Sequence, residues 1–201
     1  MTDYSMFGES TIVARHCGKT MAGFCVEIGA LDGKHNSNTR MFYEKWNWTG
    51  AMYEPNPSSF ARLVKNMVGL QCHVHNEAVG ASRGIARMKI HRDPGRSHLS
   101  DAGDVKVKVV SIAQVIDRAG PLRVNLLSID AEGMDTEIVE AMCLLDRRIL
   151  PQYVIVEANT CDALEAQFRA MLGAGYILIG MTGKQAHGHP KANTIWRLRR
   201  L

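Results

Sequence analysis

The chain has 201 residues, 46% of them hydrophobic and 22% charged, and a formal net charge of +4. Those values suit one soluble globular domain with a sizeable core, and a charge this modest argues against a nucleic-acid footprint. Five cysteines, Cys17, Cys25, Cys72, Cys143 and Cys161, are odd in number and lack a C-x-x-C pair, which excludes a disulfide framework and a cysteine zinc site and predicts reduced thiols in a cytoplasmic protein.

Residues 1–22 form an N-terminal extension or lid, with Asp3, Glu9 and Arg15 scattered among small apolar groups, so this stretch is neither a secretory h-region nor a membrane span. The core, 23–198, opens on Phe24-Cys-Val-Glu-Ile-Gly-Ala-Leu-Asp-Gly33: an apolar strand that meets Glu27 and turns through Gly29 and Gly33. Unpaired N–H groups at the following helix start carry the positive end of its dipole and can receive a polar or anionic ligand group. The polar run Lys34–Thr39 supplies capping residues for a helix bearing Met41, Phe42, Tyr43 and Trp46. A second strand, Gly50–Glu54, ends in Pro55-Asn-Pro57, where Asn56 caps a helix and Pro57 takes its first position. Phe60, Leu63, Val64 and Met67 give that helix one apolar face, and Gly69 ends it.

A third strand is expected over 71–79, followed by a β-rich insertion at 81–110 in which Arg87–Ile90 and Val105–Val110 flank a loop. Ser111 caps a short helix bearing Ile112, Val115 and Ile116. The second half repeats the rhythm: strand Val124–Asp130, turn Ala131-Glu-Gly133, a helix with Ile138, Val139 and Met142, then strand Tyr153–Glu157. Asp162 and Glu165 form a capping-box pattern before a helix with Leu164, Phe168 and Met171. Strand 176–179, a loop over 180–191 and strand 193–198 complete the chain.

Strands alternating with helices predict an α/β fold, a mostly parallel sheet sandwiched between helical layers, with ligands beyond the carboxyl ends of the strands. Glu27, Glu54, Asn76 with Glu77, Asp130 and Glu157 all fall at that edge. Glu54 follows Gly33 by 21 residues, a spacing at which a carboxylate accepts hydrogen bonds from two ribose hydroxyls. Glu27, just before the first glycine, would repel a pyrophosphate yet tolerate an ammonium. S-adenosylmethionine joins an amino acid to a nucleoside and meets both conditions.

The motifs Val26-Glu-Ile-Gly-Ala-Leu-Asp-Gly33, Ser37-Asn-Thr39, Trp48-Thr-Gly50, Tyr53-Glu-Pro-Asn-Pro57 and Leu126-Leu-Ser-Ile-Asp-Ala-Glu-Gly133 resemble, in order and spacing, the FkbM-type S-adenosylmethionine-dependent methyltransferases of class I architecture. The resemblance spans residues 24–198 and implies one domain over 1–201, a three-layer Rossmann-like sandwich whose seven-stranded sheet has an antiparallel last strand. It also implies O-methylation of a hydroxyl on a sugar, glycan or natural product. By position, Glu27, Gly29, Ala30 and Gly33, with Ser37, Asn38 and Thr39, would surround the methionine part. Glu54, with Pro55 and Asn56, would hold the ribose, Asn76, Glu77 and Ala78 would lie beside adenine, and Asp130 would approach the methionine end. Ala131 departs from the family, standing where many members carry a larger aliphatic residue.

For proton removal from a hydroxyl, the candidates at the strand edge are Asp130, Glu132 and Glu157, with His35, His98, His187 and His189 from loops, and Asp130 and Glu157 are the best placed. Asp130, Glu157 and Asn159 also make a candidate ligand set for Mg²⁺ or another hard divalent ion. The acceptor pocket would draw on residues 1–22, 91–104 and 181–192. An RNA 2′-O-methyltransferase and a non-catalytic S-adenosylmethionine-binding module stay open as alternatives. A homo-oligomer is compatible with the sequence.

Overall fold

The computed structural model describes residues 2–17, 22–120, 122–186 and 189–199. Seven strands form the main sheet: β1 (Phe24–Ile28), β2 (Thr49–Tyr53), β3 (Cys72–His75), β8 (Val124–Ile129), β9 (Tyr153–Ala158), β10 (Tyr176–Ala186) and β11 (His189–Leu198). Their order is β10-β11-β9-β8-β1-β2-β3, and β11 runs antiparallel to both of its neighbours while the remaining pairs are parallel. A second sheet of order β4-β7-β5-β6 is built from β4 (Ala78–Gly80), β5 (Gly84–Lys89), β6 (His98–Leu99) and β7 (Val105–Ser111), the last three of which make up the insertion expected around 81–110.

Parallel strands covered on both faces must be apolar on both, and alternate residues here serve opposite layers. Val26, Ile28, Leu127, Val154 and Trp196 pack with helices α4 (Ile112–Asp117), α5 (Asp135–Cys143) and α6 (Cys161–Gly173). Cys25, Met52, Leu126 and Ile155 pack with α1 (Glu9–Cys17), α2 (Arg40–Trp46) and α3 (Pro57–Asn66). The result is the expected three-layer sandwich. Asn56 caps α3 by accepting from the Ser58 N–H at 3.0 Å, and Ser111 and Gln114 form a full capping box on α4.

Four local expectations change. The strand expected over 71–79 divides, because the Asn76 side chain donates to the carbonyls of Glu54 and Pro55 and ends the ladder, after which β4 joins the second sheet. The loop expected over 180–191 is largely a hairpin: β10 continues to Ala186, and β11 begins at His189, paired residue for residue from Gly180↔Ile195 to Ala186↔His189. Residues 1–22 contain a helix, α1, whose Val13 is buried and whose Glu9 accepts from Thr182 and Asn193, so the extension is latched to the β10–β11 hairpin. Finally, α6 is capped by Thr160, which accepts from the Ala163 N–H, while Glu165 pairs outward with Arg169.

Candidate functional site

The carboxyl ends of β1, β2, β8 and β9 open into a cavity of about 500 Å³, within the range of small-molecule sites. Of the sequence-predicted residues, Glu27, Gly29, Ala30, Asn38, Glu54, Pro55, Glu77, Ala78, Asp130 and Glu157 line it together. Gly33, Ser37, Thr39, Asn56, Asn76 and Asn159 stand behind the wall.

Glu27 is the hub of the methionine-side loop. Its Oε1 accepts from the Asn38 N–H at 2.7 Å, and its Oε2 accepts from the hydroxyls of Ser37 at 2.7 Å and Thr39 at 2.6 Å. Burial pushes this carboxyl above the ordinary range, against the pull of those donors. Ser37 and Thr39 therefore hold the loop, and Thr39 gives its hydroxyl to Glu27 instead of capping α2. The Asn38 side chain donates to the Ser128 hydroxyl at 3.0 Å, and its buried Oδ1 has no donor among the described residues. Buried polar atoms are nearly always paired, so an orphan acceptor in a cavity wall marks a place for a ligand's N–H or O–H.

Gly29 is required by the protein's own backbone. It sits at φ +75°, and a Cβ placed there would lie 1.7 Å from the Asp130 carbonyl oxygen. Gly33 packs against Leu63 of α3, and a Cβ there would come within 2.5 Å of that side chain. Close packing of loop on strand and helix thus explains both glycines.

Glu54 faces the cavity with its Oε2 accepting from the Leu31 N–H at 2.8 Å and its Oε1 from the Asn56 N–H at 2.7 Å. Each oxygen retains a lone pair, which matches a ribose diol. Burial raises this carboxyl to about 7, with the two backbone donors acting in the opposite direction. Glu77 behaves differently. Burial acts to raise it, but Arg118 at 2.5 Å and Lys108 at 2.7 Å outweigh burial and hold it down to about 2. Arg118 also covers the ring of Tyr53, which stacks on His75 with centroids 4.6 Å apart. Ala78, Val79, Met88 and Leu99 add an apolar wall beside this cluster, suited to a flat heterocycle.

At the end of β8, Asp130 and Glu132 line the cavity, with Glu132 at φ +47°. Sequence reasoning missed the residue that fixes this turn. Asp135 is buried and accepts from the N–H groups of Ala131 at 2.7 Å and Gly133 at 3.1 Å, and burial raises its carboxyl. Its position two residues after Gly133, at a helix start, was the available signal. Ser128, the one hydroxyl in an apolar strand, was the other. Asn159 donates to Glu157 at 2.8 Å, and among the described residues no group of three or more His, Cys, Asp or Glu side chains converges. The divalent-ion expectation gains no support from this arrangement.

Of the expected pocket walls, Met6 and residues 93–99 line the cavity. The described side chains of 181–192 do not, and His187 lies outside the described residues. His35 lines it too, its Nδ1 2.6 Å from Asp32. No described helix is long and apolar enough to cross a membrane.

The family described as Methyltransferase FkbM domain matches residues 27–178. Among solved structures, the chain is similar to the methyltransferase FkbM from Methylobacillus flagellatus, with TM-score 0.60 and 15% identity, covering 88% of this chain and 44% of that one. This chain therefore spans less than half the length of that protein. It is also similar to precorrin-6y C5,15-methyltransferase from Geobacter metallireducens, with TM-score 0.54 and 13% identity over 96% of this chain and 87% of that one. A third match is TrmK from M. capricolum in complex with S-adenosylhomocysteine, with TM-score 0.56 and 10% identity over 97% of this chain and 69% of that one. Likeness at these identities is likeness of fold. Among curated proteins none matches the chain.

Proposed function

This chain belongs to the FkbM family of S-adenosylmethionine-dependent methyltransferases, and from that premise we propose that it O-methylates a hydroxyl group on a sugar, glycan or natural product. We place the activity in the cytoplasm and in one domain over 1–201, with 1–22 as the extension and 23–198 as the core.

The observation that carries the cofactor assignment is the Glu54 carboxylate, held in the cavity wall by two backbone N–H groups, one on each oxygen. In this reading Glu54 accepts from the ribose hydroxyls, and Pro55 borders the same end. Asn38 Oδ1, without a donor among the described residues, accepts from the amino-acid ammonium, and the Gly29–Ala30 backbone borders the chain beside it. Ala78 and Glu77 border the base. When bound, S-adenosylmethionine supplies an electrophilic methyl group on a sulfonium.

The residues of the chain then have two tasks: to orient the acceptor oxygen in line and to receive its proton. Asp130 and Glu157, both on the cavity wall, are assigned those tasks. Gly33, Ser37, Thr39, Asn56 and Asn76 act as positioning residues, because each packs against or bonds to a wall residue from behind.

Calorimetric titration with S-adenosylhomocysteine tests the cofactor half, with Glu54→Ala expected to weaken binding about 100-fold, the loss of two charge-assisted hydrogen bonds. Radiolabelled methyl transfer to a panel of sugars and hydroxylated natural products tests the chemistry, with label expected in alkali-stable ethers. Undiminished binding by Glu54→Ala, or label recovered only as base-labile ester or N-methyl product, would overturn the corresponding half.

A further inference from the structure

The insertion carries seven of the 24 Lys and Arg residues, Arg83, Arg87, Lys89, Arg92, Arg96, Lys106 and Lys108, against three of the 20 acidic residues, so its excess of four equals the net charge of the whole chain. Strand alternation sorts these charges. Ala86, Met88, Val105, Val107 and Val109 face inward with Ala78 and Leu99. Arg87, Lys89, Lys106 and Lys108 face outward around Ile85, which is 79% exposed.

The register makes this outward face continuous. Ile85 opposes Lys108, Arg87 opposes Lys106 and Lys89 opposes His98, crossing from β7 over β5 to β6. His98 and its neighbour Arg96 then line the cavity. Like charges directly opposite on an antiparallel pair are destabilising, so the Arg87–Lys106 pair works against the sheet's own stability. Lys108 and Lys89 have acidic partners, Glu77 and Asp104, whereas the side chains of Lys106, Arg92 and Arg96 make no ion pair among the described residues.

We propose that this face is a docking track for an anionic saccharide acceptor, one bearing carboxylate, sulfate or phosphate groups, whose end passes Arg96 into the cavity. The proposal rests on the methyltransferase reading of that cavity and narrows its acceptor. Charge complementarity selects an anion. Residues 81–110 contain no Phe, Tyr or Trp, so the track lacks the aromatic platforms on which single-stranded nucleic acid stacks. A polymer crossing a face three strands wide is contacted at several points, which suits repeated modest charges along a glycan.

The test is binding of a hexameric oligogalacturonate to the S-adenosylhomocysteine-loaded protein, with maltohexaose and a hexauridylate as comparisons. Binding of the acidic saccharide is expected, falling steeply with added salt. It should weaken about tenfold in Arg96→Gln and again in Arg87→Gln/Lys106→Gln, with Lys106→Gln alone as a variant that disturbs no hydrogen bond among the described residues. Equal binding of maltohexaose, unchanged affinity in all variants, or tighter binding of the hexauridylate would overturn the proposal. S-adenosylhomocysteine titration separates the failures: normal cofactor binding with no saccharide binding sinks the track alone, and absent cofactor binding sinks the methyltransferase reading of the cavity.

Discussion

Two regions of this molecule treat polar side chains in opposite ways. At the carboxyl edge of the main sheet, charged groups are buried and bonded to the backbone: Glu27 to the 37–39 loop, Glu54 to Leu31 and Asn56, Asp135 to Ala131 and Gly133. On the insertion, charges stand in solvent on one face of a small sheet, and Lys106, Arg92 and Arg96 make no ion pair among the described residues. The first arrangement fixes atoms to tenths of an ångström and suits one invariant ligand. The second constrains little, adapts to a variable one, and tolerates substitution.

That contrast is broken most severely by a methyl group. Gly29→Ala drives a Cβ into the Asp130 carbonyl at a positive φ, with backbone on both sides of the collision, and is expected to cost about 3 kcal/mol or more and to abolish cofactor binding. Gly84→Ala, in the insertion, has no heavy atom within 4 Å of the new Cβ and should leave both properties unchanged. Urea denaturation of the two variants, followed by S-adenosylhomocysteine titration, checks the pair. Equal stability would mean that the strand edge is as pliable as the insertion.

The next largest effect is one of charge and pH. Glu54 has its pKa raised to about 7 by burial, so its contribution to the stability of the free protein is present below the ordinary carboxylate value and lost as pH rises through about 7. The ribose-accepting form is the ionised one, so cofactor affinity should move the other way and increase over the same interval. Thermal melts at about pH 6 and about pH 8 should therefore show a larger stabilisation by S-adenosylhomocysteine at the higher pH. In Glu54→Gln that difference should vanish. A shift of equal size at both pH values would remove Glu54 from the ribose site.

The sheet and its helices were legible because each layer repeats a simple period: alternation in β1 and β8, and buried Leu63 in α3 with buried Met67 one turn on, at the C-cap of that helix. Glu54 and Asp130 were legible because they terminate apolar strands. What escaped was set by tertiary partners. The hairpin beyond Ile179 is rich in Gly, polar and His residues and has no strand periodicity; it is held by pairing with β11 and by Glu9 from the other end of the chain. Asn38, Ser37 and Thr39 stand side by side in sequence, yet only Asn38 reaches the cavity, because the other two hydroxyls are drawn inward to a buried Glu27. Gly29 was visible as a glycine, but its reason, the carbonyl just past the end of β8 and 101 residues later, was not.

The smallest predicted effect falls on the seam between the two regions. Ser97 in the insertion is buried, and its hydroxyl accepts from the Asn56 side chain at 3.3 Å and from the His91 N–H at 3.1 Å, while the Asn56 N–H donates to Glu54. Ser97→Ala leaves two donors without an acceptor, at a cost of about 1 kcal/mol, or a fall in Tm of about 2–4 °C for a chain of this size. Glu54 keeps both of its backbone donors in that variant, so if the strand edge is preorganised independently, affinity for S-adenosylhomocysteine should stay within about threefold of wild type, less than 0.7 kcal/mol. A loss approaching that of Glu54→Ala would show that the insertion loop holds the ribose carboxylate in place, and the two regions would then have to be treated as one cooperative unit.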